Sequence, residues 1–235
     1  YKQRHALATE QLAMAMKMLK AIQERVAIGG ATNMELLDGQ LKVTAAQAEL
    51  KSVELQLEEV RLSGHEPVTQ VSAPLISGRD FVSQRWRIEL TVPEAALRTE
   101  QVRLQSAQAR VAVGLAETFE AAPIQARMKE LQGTLAAYQR KLDIRQQFLG
   151  KSIDAGLADL RVLEVDADQR VTILAVKLEL SQKELERIKA RAAIGAAQLL
   201  EIAGAELQLH QIEFELSKAQ YDLALIRKQI EQRGR

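Results

Sequence analysis

Histidines are the first candidates for chemistry, because an imidazole binds metal ions and transfers protons. The chain has three of them, His5, His65 and His210. They stand far apart in the sequence, whereas a metal site draws its ligands from clustered positions at coordinating spacing. The chain has no Cys, which removes thiolate zinc sites and thiol catalysis. We therefore predict neither a metal site nor a bound cofactor.

Three methionines, Met14, Met16 and Met18, form an M-x-M-x-M motif. Thioethers are ligands for Cu(I), so copper binding is one interpretation. Residues two apart on a helix face away from each other, and only Met14 and Met18 share a face. The motif therefore favours the filling of a core or an interface by flexible side chains.

Carboxylates are abundant, but their arrangement does not indicate catalysis. General acid–base chemistry needs two carboxylates in a cleft that separates their pKa values. Here acidic residues alternate with Arg and Lys on what we expect to be solvated helix faces. The dinucleotide, Walker A, nucleophile-elbow and H-E-x-x-H motifs are all missing. We predict that the protein is not an enzyme. A loose cluster of acids comprises Asp154, Asp159, Glu164, Asp166 and Asp168.

The least helical segment spans residues 71–82 and is followed by the only tryptophan, Trp86. Long loops in helical proteins are often functional. Phe81 and Trp86 form an aromatic pair that is a candidate for binding a partner protein. In the alternative interpretation, the segment is a crossover connection whose aromatic side chains close the end of a helical bundle.

Composition points to long helices. Of 235 residues, 47% are hydrophobic and only 3% aromatic, and Ala, Leu, Glu, Gln, Lys and Arg dominate. The 32 basic and 31 acidic residues are interspersed, which argues against a nucleic-acid footprint or a polybasic membrane anchor. No apolar run is long enough to span a membrane. The chain opens with Tyr1 rather than Met, so we expect a processed product or a trimmed chain, and the sequence leaves open whether a signal or membrane anchor was removed before Tyr1.

Heptad spacing is the main signal of secondary structure. Apolar or small residues recur in alternating steps of three and four, which is typical of a coiled-coil seam. We predict an all-α fold of five or six long antiparallel helices with coiled-coil-like packing, in a single elongated domain over residues 1–235. The four runs begin at Val43, Met128, Val171 and Leu209.

Glycines and prolines predict where the helices end. Gly29 and Gly30 precede Thr32 and Glu35, which have the spacing of a capping box. Residues 63–80 are predicted to form one irregular connection. Gly195 leaves two alternatives: a turn, or one unbroken helix from about residue 157 to the C-terminus.

A short pattern, R-[VA]-A-[IV]-G, occurs three times, starting at Arg25, Arg110 and Arg191. Its glycines lie 85 and 81 residues apart. Half of that interval approximates the spacing of the other breaks, so we predict a repeat unit of about forty residues, one long helix with its turn.

This pattern, followed by an apolar-periodic run, resembles the periplasmic helical hairpins of TolC-like outer-membrane efflux proteins. Residues 110–142 and 191–216 are most similar. The resemblance implies that Arg25, Arg110 and Arg191 lie at hairpin tips that face a partner's helical hairpin. The chain has three copies rather than two and no membrane strands, so a complete efflux channel is not expected.

A second stretch, residues 71–78, resembles the strand that follows the helical hairpin in periplasmic adaptor proteins. A looser likeness is to helical extracytoplasmic parts of membrane-anchored anti-sigma factors. Together these resemblances imply a structural or interaction module of the bacterial cell envelope, located in the periplasm, that binds protein partners or associates with itself. The alternative function is a helical-bundle sensor of a ligand or metal, in which Met14, Met18 or the segment with Phe81 and Trp86 makes the contact.

Overall fold

Six long helices make up most of the chain in a computed structural model, which describes residues 1–115 and 117–233. The helices contain 26 to 39 residues, so at 1.5 Å per residue they are about 39–58 Å long. No helix of this described part is long and apolar enough to cross a membrane. The predicted all-α class is confirmed. The helices are α1 Lys2–Ala27, α2 Asn33–Ser63, α3 Phe81–Ala112, α4 Ala121–Leu149, α5 Ala155–Ala193 and α6 Leu199–Arg233, and a short 3-10 helix, Thr118–Glu120, precedes α4.

Each helix runs antiparallel to the next one. In the last pair, Lys189 lies 3.3 Å from Glu206 near the turn, and Arg233 lies 3.2 Å from Asp154 at the far end. Within the described residues, helices contact only their neighbours in the sequence, and α1 does not touch α6. The chain is thus an open row of three hairpins, α1–α2, α3–α4 and α5–α6. The three hairpin turns lie together at one end, which we call the tip end. The other two connections, the long one over residues 64–80 and the short one over residues 150–154, lie at the opposite end, the base.

The heptad runs account for much of the buried surface. Their members Leu131, Leu142, Leu174 and Leu185 are all buried. Ser181 occupies a seam position and is buried as well. These positions direct one side of each helix toward its neighbour, as the three-four spacing predicts.

Residues 64–80 form the irregular connection between α2 and α3, as predicted for residues 63–80. Arg145 of α4 is completely buried beneath it and donates hydrogen bonds to the carbonyl oxygens of Val71 and Ala73. The same guanidinium lies 3.0 Å from Asp80. Burial disfavours the Asp80 carboxylate, but hydrogen bonds from Arg145 and Ser83 outweigh it and lower the pKa of Asp80. A charged group therefore fastens this connection to the bundle.

A second buried ion pair holds the same region. Glu59 of α2 lies 2.7 Å from Arg85 of α3, and both side chains are almost fully buried. Glu59 also accepts a hydrogen bond from the backbone N–H of Val68 in the connection. Both carboxylate oxygens of Glu59 are bonded, one to Val68 and one to Arg85, so the buried negative charge is paired, as charges inside proteins are. Nε of Arg85 is buried without a hydrogen-bond partner among the described residues.

The main hydrophobic cluster lies at the base, where the connection covers α3, α4 and α5. Phe81 and Trp86 are buried in this region, with 3% and 9% of their surface exposed. They cannot offer an open anchor to a partner, so the structure agrees with the interpretation in which these aromatic side chains close the end of the bundle. The cluster comprises Val71, Ala73, Val82, Trp86, Ala137, Leu142, Ile144, Ala158 and Val165.

Gly195 lies in a turn, and the interpretation of one continuous helix from about residue 157 is wrong. Its φ of +74° is in the left-handed region, which a residue within a helix cannot adopt. The apolar periodicity continues through this turn because both helices of the hairpin bury a stripe on their facing sides.

Candidate functional site

Three hairpin turns at the tip end share one backbone geometry. Each has a left-handed glycine, Gly29, Gly114 or Gly195, with φ between +71° and +74°. In each turn the residue after the glycine donates its N–H to the carbonyl oxygen of the arginine four residues before the glycine, over 2.7 to 2.8 Å. The glycine itself donates to the residue after that arginine. These two bonds define a Schellman motif, which satisfies carbonyls that a helix end would otherwise leave free.

In the first and third turns the arginine of the motif also bonds across the turn through its side chain. In the first turn Arg25 donates through Nη2 to the carbonyl oxygen of Gly30 at 2.7 Å. In the third, Arg191 donates to the carbonyl oxygen of Ala196 at 2.9 Å. In these two turns the arginine and the residue after the glycine are therefore joined twice. The arginine carbonyl accepts the N–H of that residue, and the guanidinium donates to its carbonyl oxygen.

A glutamate ten residues after each arginine completes the turn. The pairs are Arg110 with Glu120 at 2.7 Å, Arg25 with Glu35 at 3.8 Å, and Arg191 with Glu201 at 3.9 Å. Each glutamate stands at the start of the returning helix, where an acidic side chain interacts favourably with the helix dipole. The backbone turn and the Arg–Glu pair thus occur three times, and the matching glutamates were not identified in the sequence.

The first turn has the predicted capping box. Thr32 Oγ1 accepts the N–H of Glu35 at 3.2 Å, and Glu35 accepts the N–H of Thr32 at 2.7 Å. The hydrogen bond from the Thr32 backbone, followed by the one from its hydroxyl, lowers the pKa of Glu35, which stays ionised beside Arg25. The third turn has half of this arrangement, because Glu201 accepts the N–H of Gln198 at 3.1 Å.

An aliphatic side chain directly before each glycine is left in solvent. Ile28, Val113 and Ile194 are 83%, 68% and 81% exposed. They follow the last residue of α1, α3 and α5, outside the buried stripe of their helices. From the sequence, the arginines were predicted to face a partner and these aliphatic positions were missed, although the fourth letter of the repeated motif, [IV], contains them.

The arginines and the aliphatic residues have different roles at the tips. The arginine side chains are partly exposed, yet their donors are engaged by the turn and its glutamate. The aliphatic groups have no such partner within their own turns. Contact with another protein would remove their apolar surface from water, at about 25 cal/mol per Å².

Neighbouring hairpins are also connected by ion pairs close to the tips. Arg103 of α3 bonds to Asp38 of α2. Arg187 of α5 lies 3.1 Å from Glu117 and stacks over the ring of Phe119 with 4.6 Å to its centroid. These contacts fix the lateral order of the three turns.

The remaining candidates from the sequence lie apart from one another. His210 is exposed on α6 and pairs with Glu213 at 3.0 Å. Met14 and Met18 are exposed on α1, so they do not fill the core of this chain. Within residues 1–115 and 117–233, no three His, Asp or Glu side chains form a group that could hold a metal ion.

A groove of about 580 Å³ opens between the start of α4 and the helices α5 and α6. Phe119, Leu180 and Ile212 line it together with Lys177 and Glu184.

Comparison with known proteins yields no relative: no protein-family profile, curated protein or solved structure matches the chain.

Proposed function

We propose that this chain is a non-catalytic interaction module of a bacterial cell-envelope protein, located in the periplasm, whose hairpin tips dock on a helical hairpin of a partner protein. The observation that carries the proposal is the threefold recurrence of one turn at one end of the molecule. Each copy combines a rigid Schellman turn with an exposed aliphatic side chain. Rigid apolar groups are suited to the core of an interface, because little entropy is lost when they are covered.

The resemblance to the hairpins of TolC-like efflux proteins supports the envelope location and suggests an efflux-type assembly. In this proposal the three arginines act through their turns, Arg25 and Arg191 by bonding across the turn and Arg110 by its ion pair with Glu120. Ile28, Val113 and Ile194 make the direct contact. The arginines are positioning residues and the aliphatic side chains are the docking residues.

The proposal extends to how the row of helices is built. We propose coiled-coil-like packing and a unit of about forty residues, one long helix with its turn, repeated along the chain. Support comes from the backbone turn that recurs at Gly29, Gly114 and Gly195 and from the heptad runs, whose buried members face a neighbouring helix. A repeat of this kind buries its apolar stripe only against adjacent units.

Photo-crosslinking in the bacterium that makes the protein tests the docking site. A benzoyl-phenylalanine replaces Ile28, Val113 or Ile194 in turn, and mass spectrometry identifies the peptide attached to it. We expect all three positions to attach to the helix–turn–helix tip of a periplasmic or outer-membrane protein. A second set, Ile28→Asp, Val113→Asp and Ile194→Asp, is expected to abolish complex formation without loss of helical circular dichroism.

Matched controls are Gln101 and Gln182, which are exposed and lie at equal distance before Gly114 and Gly195 along α3 and α5. The label at these positions is expected to give no such adduct. Equal labelling at tips and controls, or adducts only with cytosolic proteins, would contradict the proposed function.

A further inference from the structure

An apolar stripe covers the free side of α6. Leu200, Leu207, Phe214 and Tyr221 are spaced by seven residues, and that spacing places them on one face of a helix. They are strongly exposed, for example Phe214 at 74% and Tyr221 at 69%. The helix buries a different face toward α5, so a second side of α6 has the character of an interface.

The equivalent side of α4 is covered within the chain. Counted from the left-handed glycine of its own hairpin, Phe214 corresponds to Gly133, and Tyr221 corresponds to Arg140. A Cβ atom added at Gly133 would lie 3.4 Å from Cγ2 of Thr172 in α5. Arg140 lies 2.6 Å from Asp168 of α5. These positions therefore form the contact between the second and third hairpins.

The same side of α2 is covered by α3. Ala48 and Leu55, which correspond to Phe214 and Tyr221, are only 8% and 7% exposed. Further along this side, Glu59 of α2 binds Arg85 of α3. The outer face of α6 thus carries bulky apolar residues at positions that the other two hairpins use to pack against the next helix.

The first helix has the complementary free face. Met18 corresponds to Arg103 of α3, which bonds to Asp38 of α2, and Met14 corresponds to Thr99, which is buried. In α1 both methionines are exposed, as is Leu7 on the same side. Met16 differs, because its equivalents Gln101 and Gln182 face solvent in the other hairpins.

We propose that α6 of one copy of this chain packs against α1 of a second copy, in the register by which α2 packs on α3 and α4 on α5. In the described residues α1 contacts only α2, and α6 contacts only α5, so both faces are free. An unrelated amphipathic helix would cover only one of the two free faces. A second copy of the chain offers an α1 face for α6 and an α6 face for α1, so association between copies covers both. The contact is head-to-tail, so copies either close into a ring or continue as a row.

The register of the contact between copies follows from the register of the α4–α5 contact within the chain. Thr172 corresponds to Ala6, so Ala6 of one copy lies beside Phe214 of the other. Asp168 corresponds to Lys2, which places a lysine beside Tyr221 and Asp222 of the neighbour. The ammonium can interact there with both the carboxylate and the aromatic ring.

Cysteine crosslinking tests the register, because the chain has no cysteine of its own. Ala6→Cys and Phe214→Cys proteins are mixed and oxidised. We expect a disulfide between the two proteins, since the Cβ atoms are placed within its reach. Met16→Cys mixed with Phe214→Cys is the control and is expected to give no mixed disulfide. Disulfides between two Phe214→Cys copies alone would indicate a symmetric contact and overturn the proposal.

Sedimentation equilibrium tests the association itself. We expect the mass of the unmodified chain to exceed the 26.1 kDa monomer and to rise with concentration. Met14→Lys and Phe214→Lys are expected to return it to a monomer, and Met16→Lys is expected to leave the association intact. A monomer at all concentrations, or equal behaviour of Met14→Lys and Met16→Lys, would overturn the proposal.

The lateral contact is separate from the tips, so the two proposals fail independently. Ile28→Asp is expected to abolish docking on the partner hairpin but to leave the mass of the association unchanged. Phe214→Lys is expected to remove the association, while each monomer keeps its three tips.

Discussion

Arg145 is a fully buried charged side chain that bonds to three residues of the connection between α2 and α3. It occupies a position of the heptad run of α4 that would ordinarily hold an apolar residue, and it is fully buried. Its guanidinium donors satisfy the carbonyls of Val71 and Ala73 and the carboxylate of Asp80. The arginine thus replaces packing by hydrogen bonds, and the connection depends on it.

We predict that Arg145→Met destabilises the protein by about 3–5 kcal/mol, because it leaves two buried carbonyls without a donor and removes the buried cation that pairs with Asp80. Arg140→Met is the control on the same helix. Arg140 pairs with Asp168 at a half-exposed site, where an ion pair contributes about 0–1 kcal/mol. Urea unfolding followed by circular dichroism measures both. Equal losses for the two variants would show that the buried guanidinium does not hold the connection.

At the scale of single helices, the turns decide the architecture. Two glycines nine residues apart, Gly195 and Gly204, make this testable, since one is in a turn and the other within α6. Gly195 has a φ of +74°, whereas a Cβ atom added at Gly204 would have open space around it, with no neighbouring atom within 4 Å. Replacement by alanine is therefore unfavourable at Gly195, where the backbone is left-handed, and favourable at Gly204, where it is helical.

We predict that Gly195→Ala lowers the free energy of unfolding by roughly 1–2 kcal/mol, the cost of a left-handed alanine. Gly204→Ala is expected to raise it by roughly 0.5–1 kcal/mol, because alanine favours a helix interior. Thermal unfolding of both variants measures the two shifts. A gain in stability from both substitutions would mean that the chain continues as a helix through residue 195.

At the scale of the whole molecule, the row of helices limits how far a disturbance spreads. Each helix contacts only the helices before and after it among the described residues. In such a linear arrangement, stability is close to a sum over units and their nearest interfaces. The two terminal hairpins do not touch, so they should open separately.

We predict that Leu223→Ala, at a buried position of α6, speeds hydrogen exchange in α5 and α6 but not in α1 and α2. Removing this side chain costs about 2–5 kcal/mol. Leu19→Ala is the reciprocal control: Leu19 is half-buried on α1 and faces Gly39 of α2, so its removal is expected to affect only α1 and α2. Exchange that rises equally along the whole chain after either substitution would show a single cooperative unit instead.

Much of the architecture was predictable because a helix that packs against a neighbour needs apolar residues at intervals of three and four along its sequence. The runs from Val43, Met128, Val171 and Leu209 predicted the helices that contain them, and Thr32 with Glu35 predicted a helix start. Gly195 was ambiguous for a physical reason. A hairpin buries the facing sides of both of its helices, so an apolar rhythm can pass through a turn unbroken.

The tips and the outer faces were harder to predict. The pattern starting at Arg25 marked the tips, but exposure depends on where a side chain stands relative to a turn, which spacing alone does not reveal. That Ile28 is exposed and Phe81 buried could not be inferred from their types, because both are large and apolar. The stripe on α6 was missed because only the structure shows which side of a helix lacks a neighbour.

The large buried side chains are gathered at the base, so we expect the base of the molecule to be stiffer than the tip end. Phe81, Trp86 and the buried ion pairs lock the base, whereas the tip end is closed by short turns and surface charges. Hairpins that are held firmly at one end bend most at the other end. Near the tips neighbouring hairpins are joined by exposed ion pairs, Arg103 with Asp38 and Arg187 with Glu117, which contribute little to stability. A partner that changes the spacing of the three tips therefore breaks only weak contacts, while the base keeps the hairpins together.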